Sequence, residues 1–116
     1  YEAYYLKAQK VRSKIINEFN QAFEEVDFMI APVSPFLPFK IGEKIDDPLK
    51  MYLADIFTVG PSMAGIPGFA MPCGFSKSKL PLGFQLLGPR FSENTLFALG
   101  EMFEKETGYK PKVANL

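Results

Sequence analysis

Apolar positions recur at spacings of three and four through the first stretch: Tyr4, Ala8, Val11, Ile15, Phe19, Ala22 and Val26. Ile16 and Phe23 widen this stripe, while Lys7, Lys10, Lys14, Asn17, Glu18 and Gln21 fill the other side. The pattern predicts a long amphipathic helix from Tyr1 to about Glu25. No capping residue precedes Tyr1, so the start of the helix is expected to lie upstream of the chain. The period then changes. Asp27-Phe28-Met29-Ile30-Ala31 is a short, nearly continuous apolar run stopped by Pro32, which suits a central strand buried on both faces. Pro32, Pro35 and Pro38 set an extended, rigid loop, and the Phe and Leu residues between them predict that it packs against something.

Asp47-Pro48 reads as a helix start, a capping carboxylate followed by proline at the first helical position. The adjacent Asp46 is read with Asp47 as part of this cap. The helix is expected to run to about Thr58 and to break at Gly60-Pro61, with Ser62 to Gly65 forming a further short turn or helix. Phe69 to Phe75 and Leu82 to Leu87 read as two strands of a loose antiparallel hairpin, with Pro72 marking an edge or a bulge. Ser92 is a candidate N-cap for a last helix carrying Leu96, Phe97, Leu99 and Phe103 and ended by Thr107-Gly108. Little pattern follows Tyr109. The fold class is α/β, with about three helices and three strands including a β-hairpin.

Composition narrows the chemistry. The chain of 116 residues has 13 basic and 13 acidic side chains, no histidine and one cysteine, Cys73. Zero net charge argues against a surface that holds nucleic acid or anionic lipid by bulk charge. A single cysteine excludes an internal disulfide and favours a reducing compartment. Without histidine, Ser-His-Asp and Cys-His machinery is ruled out for these residues, and zinc or copper sites are not expected. Cys73 lacks an activating base and is expected to fill core. Lys77 and Lys79 are expected to solubilise a turn, and the phenylalanines to fill core rather than stack bases.

Asp55 stands out. It interrupts Met51-Tyr52-Leu53-Ala54-Asp55-Ile56-Phe57, and on a helix its neighbours are Met51, Tyr52, Thr58 and Val59, an apolar face. A carboxylate there is costly unless partnered. Two readings stay open: a structural aspartate bonded elsewhere in the fold, or a ligand-binding one. The glycine-rich run Gly60 to Gly68 is read mainly as tight loop packing. It does not fit a phosphate loop.

Four blocks carry a resemblance. Tyr1-Glu2-Ala3-Tyr4-Tyr5-Leu6-Lys7-Ala8-Gln9-Lys10-Val11-Arg12 looks like YDAYYxKAQKVR. Gly42-Glu43-Lys44 with Asp47 to Thr58 is similar to GE…DPLxMYLxDIFT. Ala64 to Gly74 matches AGxPxxxxPCG, and Leu80 to Pro89 matches LPxGxQLxGP. Together they resemble the amidase-signature family, and within it the A subunits of tRNA-dependent amidotransferases. Pro32-Val33-Ser34-Pro35, where the family usually has PTxP, and Gly60-Pro61-Ser62-Met63 depart from the usual pattern.

The resemblance implies a portion of the mixed-sheet amidase-signature fold, with residues 1–116 as its C-terminal part and the N-terminal catalytic part absent. It implies a parent glutaminase, cytoplasmic or organellar, with the cytoplasm as the expected location. That enzyme passes ammonia to a B subunit for amidation of Glu-tRNA(Gln) or Asp-tRNA(Asn), with B and C subunits and glutamine as partners and tRNA met indirectly. ATP and Mg are used by the B subunit, and no cofactor falls to this chain. The family's nucleophile is a serine activated by a second serine and a lysine. Nothing here matches that signature, so none of Ser34, Ser62, Ser76, Ser78 and Ser92 is a catalytic candidate, and the chain alone is expected to be inactive. Asp55 is implied to accept hydrogen bonds from the α-ammonium of bound glutamine, which would partner its charge. The alternatives are a tRNA-independent small-amide amidase and a non-catalytic binding module. An apolar exposed edge, with possible self-association, is expected, and no membrane contact.

Overall fold

A computed structural model of the chain describes residues 2–42 and 47–109. Tyr1, Glu43-Lys44, Asp46 and the tail beyond Tyr109, on which several sequence readings fall, lie outside the described residues. A π-helical turn, Glu2–Leu6, opens into helix α1, Lys7–Glu25. Strand β1, Met29–Pro32, follows, then helices α2, Pro48–Ala54, and α3, Ile56–Ala64. Strands β2, Gly68–Phe75, and β3, Pro81–Leu87, lead into helix α4, Glu93–Thr107.

The sheet has the order β1-β3-β2, and both pairings are antiparallel. The hairpin stands as expected. The register slips between Pro72 and Gly74, so Cys73 is the extra residue of a bulge and Pro72 sits on an edge strand. Cys73 is exposed there, not in the core. The central strand is β3. β1, expected at the centre, pairs with β3 alone among the described residues, and Ile30 is 64% exposed. Its apolar sequence therefore faces open surface on one side.

Register sorts the side chains into two faces. Phe69, Met71, Phe84 and Leu86 share the face covered by α4. Phe69 meets Phe97 edge-on with centroids 5.2 Å apart, and Phe84 meets Phe103 at 4.9 Å. Gly100 lets Phe69 approach the α4 backbone, and Leu96 is buried with one methyl against Gly88. The opposite face carries Gln85 and Leu87 and receives α3, against which α1 lies, with the Phe19 ring beside Gly60. The result is helices on both sides of a three-stranded sheet.

Among the described residues four α-helices stand where three were expected, because the stretch after Pro48 divides at Asp55. The predicted break at Gly60-Pro61 does not occur, and α3 continues through Pro61 to Ala64. The reason is an outside donor. Proline has no N–H, so the carbonyl four residues back, on Phe57, loses its helical partner. The Gln85 carboxamide Nε2 donates to that carbonyl at 2.9 Å. The helix instead ends at Gly65, left-handed at φ 68°, where Ile66 N–H bonds Pro61 O and Gly65 N–H bonds Ser62 O. Among the described residues no helix is long and apolar enough to cross a membrane.

Candidate functional site around Asp55

Asp55 closes α2 and opens α3, with φ −101° and ψ 7°. This is the bridge region between helix and strand, where turn and active-site residues are found. Asp47 caps the start of α2 as its sequence predicts: its carboxylate accepts from Lys50 N–H at 3.1 Å, and Lys50 Nζ lies 3.2 Å away. These contacts, the Lys50 backbone bond first, hold the Asp47 carboxyl below its ordinary value of 3.8.

Asp55 behaves differently from Asp47, although it too stands at an N-cap. Its side chain makes no capping bond. Of the two donors that an N-cap carboxylate ordinarily takes, Phe57 N–H and Thr58 N–H, the second is turned to the Asp55 main-chain oxygen at 3.0 Å, which also accepts the ordinary helical bond from Val59 N–H at 3.0 Å and a bond from Thr58 Oγ1 at 3.1 Å. The carboxylate is exposed at a helix N-terminus, a position that favours negative charge. The sequence expectation of an aspartate on an apolar helix face is therefore corrected. Asp55 sits at a helix junction, flanked by exposed apolar side chains, Tyr52 at 78% and Ile56 at 55%. It needs no internal partner because it is not buried.

Three side chains hold α3 from outside. Gln85, 6% exposed, bonds Phe57 O at 2.9 Å and Pro32 O, at the end of β1, at 3.0 Å. Arg12 Nε from α1 donates to Met63 O at 2.9 Å, and an Arg90 Nη donates to Ala64 O at 3.0 Å. Both guanidinium groups thus complement the negative end of the helix. Sequence reasoning missed all three. A signal existed for Gln85, a carboxamide within Leu82-Gly83-Phe84-Gln85-Leu86-Leu87, where Pro61 four residues after Phe57 left a carbonyl unpaired.

The serines set aside by motif have local duties. Ser62 Oγ donates to Thr58 O, Ser92 Oγ to Pro89 O, Ser76 and Ser78 bond each other, and Ser34 Oγ accepts from Phe36 N–H. Ser92 stands at the N-cap of α4 but its side chain does not cap. Grooves open on the surface of the described residues. One of about 550 Å³ runs between the Val33–Phe39 loop and the hairpin. One of about 480 Å³ lies between β1 and α4, beside Phe28, Ile30 and Met102. Asp55 lines neither. No group of three or more His, Cys, Asp or Glu placed to hold a metal ion occurs among the described residues.

Comparison with known proteins places the chain in a family. A glutamyl-tRNA(Gln) amidotransferase A subunit of Clostridium acetobutylicum, the one numbered 2, is 57% identical over 106 residues, 91% of this chain and 22% of that protein. The corresponding A subunit of Methylacidiphilum infernorum is 50% identical over 116 residues, all of this chain and 24% of that protein. The crystal structure of the Thermotoga maritima A subunit superimposes with a TM-score of 0.86 at 45% identity, covering 96% of this chain and 24% of that one. S177A allophanate hydrolase of Kluyveromyces lactis superimposes at 0.79 with 26% identity, covering 90% of this chain and 17% of that one. The chain thus spans between a fifth and a quarter of the length of the two curated relatives. The Amidase family profile matches residues 1–97, and the chain belongs to the amidase family.

Proposed function

We propose that the chain is the C-terminal part of the A subunit of a tRNA-dependent amidotransferase, with Asp55 as the acceptor for the α-ammonium of glutamine. The observation that carries this reading is the state of the Asp55 carboxylate. It opens a helix, makes no capping bond and is exposed among apolar side chains. Its lone pairs are available to an outside donor, and an ammonium offers up to three charge-assisted bonds. The identity to amidotransferase A subunits across the segment supports glutamine as the donor's source.

The complete enzyme then releases ammonia from glutamine in the cytoplasm and supplies it to a B subunit for amidation of Glu-tRNA(Gln) or Asp-tRNA(Asn). B and C subunits are its partners, and tRNA is met through them. ATP and Mg²⁺ are assigned to the B subunit. The serine nucleophile, the second serine and the lysine lie outside this chain. The small-amide amidase reading draws on the amidase family profile and on the likeness to allophanate hydrolase, at the lower identity of 26%.

The test is Asp55→Ala in the complete subunit, assayed for glutamine hydrolysis, with the isolated chain as a control that turns over none. Removing a charge-assisted acceptor is expected to raise KM for glutamine by about tenfold to a hundredfold. ATP-dependent activation of the tRNA should continue. Glutamine kinetics that do not respond to the substitution remove Asp55 from the site.

A further inference from the structure

We infer that Gln85 is a positioning residue, which sets Asp55 by holding the Phe57 carbonyl that Pro61 leaves free. The inference rests on the role proposed above for Asp55. It begins from a mismatch in the helix. Pro61 lies inside α3 and is buried. Its missing N–H orphans Phe57 O, and its ring crowds that carbonyl away from the helix axis. An unpaired carbonyl at this depth is unfavourable. Gln85 is the residue that takes it, from the central strand, at 2.9 Å.

Several features make this bond a locating device rather than an ordinary packing contact. Gln85 is the one buried polar side chain among the described residues. Both of its N–H groups are committed, one to Phe57 O in the first turn of α3 and one to Pro32 O at the end of β1. A planar carboxamide with two fixed acceptors has a single orientation. Phe57 is two residues after Asp55, and Asp55 starts the same helix. The strand therefore locates the helix start to within a hydrogen bond, although the apolar side chains Ile56 and Val59 around it are exposed and hold it little. The far end of α3 is held separately, by Arg12 on Met63 O and Arg90 on Ala64 O. With both ends fixed, the helix cannot slide along the sheet and carry the carboxylate with it.

The test uses four variants of the complete protein: Gln85→Leu, Asp55→Ala, their combination, and Gln85→Leu with Pro61→Ala. Gln85→Leu is expected to raise KM for glutamine by about tenfold, with kcat moved less, because one positional hydrogen bond is lost. In the Asp55→Ala background the same change should add almost nothing, since Gln85 acts through Asp55. Pro61→Ala gives Phe57 O a donor within the helix but no link to the sheet. The Pro61→Ala, Gln85→Leu protein should therefore regain the part of its unfolding midpoint lost at Phe57 O, though not the part lost at Pro32 O, while keeping the KM defect. This variant also preserves the test where Gln85→Leu alone folds poorly. A KM that recovers together with stability, or a Gln85→Leu effect of full size without Asp55, overturns the positioning role. Asp55→Ala with normal KM instead overturns the underlying assignment, and the two failures are thereby told apart.

Discussion

The hairpin with α4 and the α2–α3 arm are built on different forces. Around the hairpin, apolar side chains interlock: Met71, Leu86, Leu87 and Leu96 are buried and two edge-to-face ring pairs join sheet to helix. The arm has little of this. α2 contains no buried residue, and α3 buries only Pro61 and Ala64. Leu49, Tyr52, Ile56 and Val59 are exposed. What fixes α3 is polar, three side chains reaching main-chain oxygens. Burial is non-directional and scales with area, whereas a hydrogen bond specifies distance and angle. The part of the molecule that carries the proposed ligand contact is thus located more precisely than it is stabilised.

The largest test of this contrast is Leu96→Ala. Leu96 is 2% exposed and packs against Gly88 at the junction of β3 and α4. The cavity should lower stability by about 2–5 kcal/mol, the range for large-to-small core changes. Denaturant unfolding of the complete protein measures it. A loss below about 1 kcal/mol would mean that the hairpin region is not the apolar anchor, since surface substitutions have effects of that size.

A smaller effect belongs to the arm. Arg90→Met keeps the stem of an exposed side chain and removes the bond to Ala64 O. One such bond contributes about 0.5–1.5 kcal/mol net. Amide exchange should quicken in the last turn of α3, while the global unfolding midpoint barely moves. Equal loss of protection in β3 would show that the two regions open together and that the contrast is false.

The same division explains what could be read from the sequence. Where apolar periodicity decides structure, the reading succeeds: α1, the hairpin, the irregularity at Pro72 and the Gly108 end of α4 all follow from local pattern. It fails where a distant polar group decides. Gly60-Pro61 is a sound breaker signal, overruled by Gln85 from another strand. Cys73 is apolar in character, yet the bulge turns it outward. The run Phe28 to Ala31 predicts a central strand, and β1 lies at an edge with the apolar groove beside α4 open. Asp55 was legible as an anomaly of residue type, but its place at a helix junction depends on a division of the helix that periodicity does not encode.

The smallest expected effect comes from acid, and it separates the regions by location rather than size. Among the described residues two carboxylates are held below their ordinary values, Asp47 chiefly by the Lys50 N–H and Glu101 chiefly by its bond to Lys105. A depressed folded-state value means that the charged form stabilises the fold. That contribution is complete above the unfolded value and disappears as pH falls through the lower folded value. Both helices therefore lose a surface contribution below about pH 4. α4 stays in place because Leu96 and its rings remain buried, whereas α2 has no buried side chain to hold it once its cap is protonated. Amide exchange, corrected for its intrinsic pH dependence, should show α2 opening on acidification while α4 remains protected, and Asp47→Ala should remove the pH dependence in α2. Loss of protection in α4 over the same pH interval would show that its surface charges matter as much as its core.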